Sequence, residues 1–490
     1  MRRSGILLHI TCLPSPYGVG SFGREARRFV DFLSAAGQSL WQMLPLSPAA
    51  ANGCPYQPGS FFALDPLFLD LEALAGEGLL TPGELAGCRL GEGDVDYPAL
   101  RRNRAQIYPA LIRRGLAKYR RAVLDYAAAN PWAAEYALFG AISSRYPGAA
   151  WTDWPEPLAR RQEDALHRFA AEHSQAVEGR LLLQYLLEGQ WRRLRAYAAA
   201  RGVKLVGDLP IYPAYHSSDV WAHPELFWLD RSGRMARVAG APPDEYAAAG
   251  QVWNNPLYRW DRAEDDGYRW HLARIRRGFA LYDKIRLDHF IGYETFYAIP
   301  AGGEAAAGQW CEGLGEGLFR LALEQFAPGD FIAEDLGSLT PRVERLRARC
   351  GFLSTRVAQF ALSPAGEENP RYCPAHYPEE AIACTGTHDN PTLADWLAAL
   401  GEKGRCRLGS LVGAGGPADA ADLIAAVAAS QARYAVFPLQ DFLPGARRMN
   451  TPGQPEGNWA WRLSSGSLNG PLAEQLARLA LQSKRSVDSL

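Results

Sequence analysis

Lys284-Ile285-Arg286-Leu287-Asp288, at the centre of an apolar run from Tyr282 to Phe290, reads as a short buried strand that finishes in a carboxylate. The pattern recurs along the chain. Val203-Lys204-Leu205-Val206-Gly207-Asp208 ends in an acid. So do Phe331-Ile332-Ala333-Glu334, within a run to Leu336, and Thr385-Gly386-Thr387-His388-Asp389, within a run from Ala381. Gly5 to Thr11, Ser39 to Leu46, Thr355 to Leu362 and Tyr434 to Leu439 have the same character without the terminal acid. An amphipathic helix around Glu25 to Ala36 separates the first two runs, and helical patterns separate the later ones. Strands alternating with helices cover both faces of a parallel sheet. The expected fold is therefore α/β, a (β/α)8 barrel of the TIM type with large, mainly helical insertions between barrel strands.

The insertions follow the second and third strands. Residues 47–200 begin Pro/Gly-rich and become strongly helical, with Leu, Tyr and Trp at helical spacing, which predicts a solvated helical subdomain. Residues 212–270 form a second subdomain or loop region. A length of 490 residues would allow about three domains. A barrel with such insertions counts as one, so residues 1–490 are read as a single catalytic unit. The 52 basic and 53 acidic residues nearly cancel, which argues against nucleic-acid or anionic-membrane partners. The apolar run after Met1-Arg2-Arg3 is too short for a signal peptide, and no stretch is long enough to span a bilayer. The eight cysteines show no C-x-x-C pair and no metal-ligand spacing. The expectation is a cytoplasmic protein without metal or other cofactor.

In barrel enzymes the C-terminal strand ends carry the reacting groups. One acid there means little, since Asp often caps the helix that follows. Asp208, Asp288, Glu334 and Asp389 end four separate strands, and two of them lie beside a histidine (His289, His388). Several carboxylates with few other reactive groups suit either an oxygen-rich metal site or glycosidic bond cleavage. The metal reading is weakened because strand neighbours such as Asp288 and His289 should point to opposite faces. Retaining glycoside chemistry needs an ionised nucleophile and a protonated acid roughly 5–5.5 Å apart. Arg286, two residues before Asp288 and on the same face, is placed to hold the nucleophile's pKa down. The acid should sit where its charge is less compensated.

At this point a resemblance becomes specific. Arg286-Leu287-Asp288-His289-Phe290 looks like the nucleophile strand of the α-amylase clan. Ala333-Glu334-Asp335-Leu336-Gly337 and Gly386-Thr387-His388-Asp389-Asn390 resemble the other two acid-bearing strands of its amylomaltase branch, the 4-α-glucanotransferases of glycoside hydrolase family 77. Trp41 to Leu46, Pro55-Tyr56-Gln57, Gly207 to Tyr212, Ser218 to Ala222, Gly250-Gln251-Val252-Trp253 and Asn458-Trp459 match in order, so the likeness runs from about residue 4 to 465. It implies Asp288 as nucleophile, Glu334 as acid/base and Asp389 as the residue gripping the sugar at the cleavage point. It also implies sugar-subsite roles for Tyr56, Asp208, Arg286, His289 and His388. Gln251, Trp253 and Asn458 would lie on the acceptor side. The implied partners are α-1,4-glucans, with glucose or another glucan as acceptor. Plain α-glucan hydrolysis on the same residues is the alternative, because residue types do not say whether water or a sugar attacks the intermediate.

Four places depart from the family pattern: Ile291 where Arg is usual, Pro391 where the family has Asp, Glu245-Tyr246 in the covering loop, and Ala49 to Cys54. None touches the three carboxylates. Gly18-Val19-Gly20-Ser21-Phe22-Gly23 satisfies a dinucleotide-type G-x-G-x-x-G, but Pro14 and Pro16 separate it from the strand, so it reads as a turn opening a helix. His216 and His223 read as structural. Asp335, beside Glu334, should face the other way and serve packing.

Overall fold

The computed structural model describes residues 2–243, 247–337, 339–454 and 456–485. Its strands, in chain order, are β1 (Arg3–Leu7), β2 (Leu40–Gln42), β3 (Lys204–Leu209), β4 (Arg237–Ala241), β5 (Gln251–Pro256) and β6 (Lys284–Leu287), then β7 (Thr295–Pro300), β8 (Gln309–Glu312), β9 (Phe331–Ala333), β10 (Leu353–Val357), β11 (Ala381–Cys384) and β12 (Tyr434–Pro438). β1, β2, β3, β6, β9, β10, β11 and β12 close a parallel barrel in that order, β12 pairing back onto β1. These are the eight runs read as strands from the sequence. They were legible because strands buried on both faces read as unbroken apolar runs.

Register sets the layers inside the barrel. Asp208 lies opposite Arg286, and Arg286 opposite Ile332, so these three point inward together. Two residues on, Asp288 and Glu334 share the next layer toward the C-terminal mouth. On the outer face Gly207 leaves room for Tyr282, whose ring would lie 2.1 Å from any added Cβ.

The first excursion is helical. Its long helices, Tyr97–Ala129 and Ser174–Ala199, approach closely where Gly115 meets Leu182; a Cβ there would sit 2.4 Å from the leucine. The second of them also serves the barrel as the crossover between β2 and β3. Its fully buried Trp191 donates to the Leu281 carbonyl at 3.0 Å, and Arg195 donates to the Ala280 carbonyl at 2.6 Å, just before β6. Among the described residues no helix is long and apolar enough to cross a membrane. Gly23 precedes the helix Arg24–Ala35, so the glycine-rich turn opens a helix as expected.

The second excursion holds a sheet that the sequence did not suggest. β4 and β5 join β7 and β8 in an antiparallel sheet of order β5-β4-β7-β8, so segments from either side of barrel strand β6 come together. Val238, Tyr297, Ile299 and Ala305 make a small core of its own. Polar residues interrupt β5 and β8, which hides their strand character. Glu245-Tyr246 lies outside the described residues.

Candidate functional site

The barrel mouth opens into a cleft of about 750 Å³. Nine of the eleven residues singled out from the sequence line it: Tyr56, Gln251, Trp253, Asp288, His289, Glu334, His388, Asp389 and Asn458. The other two, Asp208 and Arg286, form the floor beneath. Arg286 is the hub. Its Nη1 donates to Asp208 Oδ1 and Oδ2 at 2.8 and 2.7 Å and to Asp288 Oδ1 at 2.9 Å, while Nη2 lies 2.9 Å from Glu334 Oε2. Burial works against its charge, but Asp208 and Glu334 lift its pKa well above the ordinary value, so it stays a cation. Tyr56 donates its hydroxyl to Asp208 Oδ2 at 2.8 Å. Asp208 thus commits its oxygens to Arg286 and Tyr56 rather than reaching the cleft.

Two expectations about charge change here. Arg286 does pull the Asp288 pKa down, but burial outweighs it and Glu334 adds to the rise, so Asp288 is pushed up to about 7. One guanidinium divided among three carboxylates cannot compensate each fully. Burial raises Glu334 as well, against the pull of Arg286 and of the His289 N–H, which donates to Glu334 Oε2 at 2.7 Å. Asp288 and Glu334 both meet the guanidinium of Arg286, the first at Nη1 and the second at Nη2.

His289 and His388 lie just past their strand ends, so strand alternation does not govern them. His289 adopts a left-handed conformation at φ 44°, a conformation sparsely populated outside glycine, and this turns its N–H onto Glu334. Its ring meets Trp253 edge-on at 4.8 Å, and burial lowers its pKa to about 4, so it is neutral. The seventh strand stops at Cys384, not Asp389, because the Asn390 side chain accepts from Thr387 N at 2.8 Å and closes a turn. That turn sets His388 Nε2 3.3 Å from Asp389 Oδ1. His388 is held neutral by burial and stacks on Tyr56 at 5.0 Å and 10°.

On the rim, Trp253 Nε1 donates to Gln251 Oε1 at 3.0 Å, and Gln57 Nε2 to the Trp253 carbonyl at 3.2 Å. Asn458 accepts from Thr451 N at 2.9 Å and donates to the Gln454 carbonyl at 2.8 Å. The sequence reading passed over Asn450, which donates to Asp389 Oδ1 at 2.6 Å, and Arg448, which donates to the Asp389 carbonyl. The turn string Asn450-Thr451-Pro452-Gly453 after a basic pair was the available signal.

Comparison with known proteins matches this arrangement over nearly the whole chain. A family model described as 4-alpha-glucanotransferase covers residues 8–468. The chain belongs to glycoside hydrolase family 77. A 4-alpha-glucanotransferase from Aquifex aeolicus is 39% identical over 475 residues, 94% of this chain and 96% of the relative. One from Thermus thermophilus is also 39% identical, over 507 residues and 99% of both chains. The solved structure of an amylomaltase from Streptococcus agalactiae in complex with acarbose superposes with a TM-score of 0.95 at 31% identity, covering 99% of this chain and 100% of that one. Among the departures from the family pattern, Ile291 is buried in the cleft wall, and the Pro391 carbonyl accepts from Gln359 Nε2 at 3.0 Å.

Proposed function

We propose that this 4-α-glucanotransferase moves α-1,4-glucan segments by double displacement on Asp288 and Glu334. The observation that carries the assignment is the single guanidinium of Arg286 tying both carboxyls at the barrel mouth, beneath a cleft wide enough for a sugar chain. The Asp288 carboxylate attacks the anomeric carbon of the donor while Glu334 gives its proton to the departing 4-oxygen. Glu334 then takes the proton of an acceptor 4-hydroxyl, which displaces Asp288 and restores the α-linkage. A bound sugar sets its anomeric carbon at Asp288 and its glycosidic oxygen at Glu334, and the proton used in the first step is carried by Glu334. Asp389, steadied by Asn450 and His388, grips the hydroxyls of the sugar being cleaved, and Asp208 acts beneath by fixing Arg286 and Tyr56.

His289 and His388, both neutral, serve as hydrogen-bonding groups toward the sugar. Gln251, Trp253 and Asn458 border the acceptor side. The excursions 47–200 and 212–270 serve one catalytic unit, since the first packs into the barrel core and the second walls the cleft. A cytoplasmic location accords with the eight free cysteines.

The test is incubation with maltotriose, following product sizes, free glucose and total reducing ends. Transfer gives glucose and longer maltodextrins at constant reducing ends. Rising reducing ends with only shorter products would overturn transfer in favour of hydrolysis.

A further inference from the structure

Trp310 has no part in the site described so far. It stands on β8, an edge strand of the four-stranded sheet, and is 46% exposed. Among the described residues the exposed large apolar side chains are Leu124, Val252, Trp310 and Leu481, and Trp310 is the one aromatic. Val252 and Trp310 both line the cleft. An exposed indole on a sheet edge invites unwanted pairing and association, a liability proteins ordinarily bury or charge. Its support is rigid: Trp310 is the cross-strand partner of Tyr297, their rings 5.2 Å apart and edge-on, and Tyr297 is itself buried and donates to the Ala305 carbonyl at 3.0 Å. One side of the indole is thus fixed against the protein and the other looks into the cleft.

We infer that Trp310 is the platform of a distal acceptor subsite, stacking on the apolar face of a glucosyl unit beyond the one that reacts. Its position favours the acceptor over the donor. The proton on Glu334 serves the departing and accepting oxygens, and Leu336 and Gly337, which follow Glu334, flank the same cleft. The other edge of Trp310's sheet is β5, which carries Gln251 and Trp253; three strand spacings separate the two edges, about 14 Å. The sheet therefore forms a wall several sugars long. This inference rests on the transfer reading above.

The experiment compares glucose and maltotetraose as acceptors, at fixed donor, in the native enzyme, Trp310→Ala and Trp310→Phe. The Ala variant should raise KM for maltotetraose by roughly three- to tenfold, the scale of one lost aromatic contact, with the glucose KM moving less than twofold. The Phe variant should recover most of the loss. An unchanged maltotetraose KM, or an equal rise for both acceptors, overturns the platform. Calorimetric titration of maltotetraose into Glu334→Gln and Glu334→Gln/Trp310→Ala separates this from the parent reading, because it needs no turnover. Weaker binding in the double variant sustains the subsite even if transfer fails, and equal binding removes it.

Discussion

Glu334 and Asp335 are neighbours at the end of one strand, yet they sit in opposite electrostatic surroundings. Inside the barrel, Glu334 shares one guanidinium, Arg286, with Asp208 and Asp288. Outside it, Asp335 alone faces three, with Arg371 at 3.0 Å, Arg347 at 3.5 Å and Arg356 at 3.7 Å, and it also accepts from Thr355 N at 2.7 Å. Both are buried. The acid-rich side keeps a proton in play near neutral pH, which is what acid/base work requires. On the base-rich side burial still raises the Asp335 pKa against the pull of its three arginines, and the carboxylate holds β9, β10 and the helix Pro341–Cys350 together. The contrast teaches that an opening to the cleft, together with a surplus of acids over bases, separates the carboxylates placed to react from a structural one.

The largest effects should come from breaking the acid-rich side. Glu334→Gln removes the proposed proton donor and should lower maltotriose disproportionation by roughly a hundred- to ten-thousandfold. Asp288→Asn removes the proposed nucleophile and should fall at least as far. Retention of a tenth of the activity in either would detach the chemistry from this pair. The counterpart on the base-rich side, Asp335→Ala, leaves the buried guanidinium of Arg356 uncompensated. It should cost about 3–5 kcal/mol of stability, read by denaturant unfolding, while activity per folded molecule stays within a few-fold. A stable but inactive variant would contradict the contrast.

A subtler difference appears in pH. The unfolded chain releases the Asp288 proton near the ordinary carboxylate value, whereas the folded protein keeps it up to about 7. Between those values the folded state binds more protons, so this group costs stability increasingly as pH rises through the window. Asp288→Asn should therefore raise Tm at pH 7.5 by the equivalent of about 1 kcal/mol, and by less at pH 5. Equal increments at both, or a lower Tm at pH 7.5, would show that Arg286 compensates Asp288 fully.

The barrel and its carboxylates were legible because each is local. A buried parallel strand writes itself as an apolar run, and an acid at its end interrupts that run visibly. Arg286 and Asp288 could be placed on one face from spacing alone, and their 2.9 Å contact follows. What could not be read depends on distant segments. β4 and β5 find their partners across barrel strand β6, so no local period announces the sheet or Trp310 on its edge. Burial at the barrel mouth, with Glu334 from another strand beside it, overturned the expected pKa of Asp288, since spacing shows the Arg286 partner and neither of these. His388 and Asp389 failed the alternation rule because the Asn390 turn ends β11 five residues before Asp389.

The rim gives the smallest effect and the clearest contrast with the floor. Asn458 touches none of the three carboxylates; its hydrogen bonds go to Thr451 and Gln454 and shape the turn that borders the cleft. Asn458→Ala loosens that turn by roughly 0.5–1.5 kcal/mol, the net worth of an ordinary hydrogen bond. An interaction that only shapes the border changes binding and not the barrier between bound sugar and transition state. KM for the acceptor should rise about two- to tenfold at constant kcat, and the pH profile of kcat should not move. A tenfold fall in kcat would mean that Asn458 meets the reacting sugar directly, which would move the boundary between chemistry and recognition from the strand ends out to the rim.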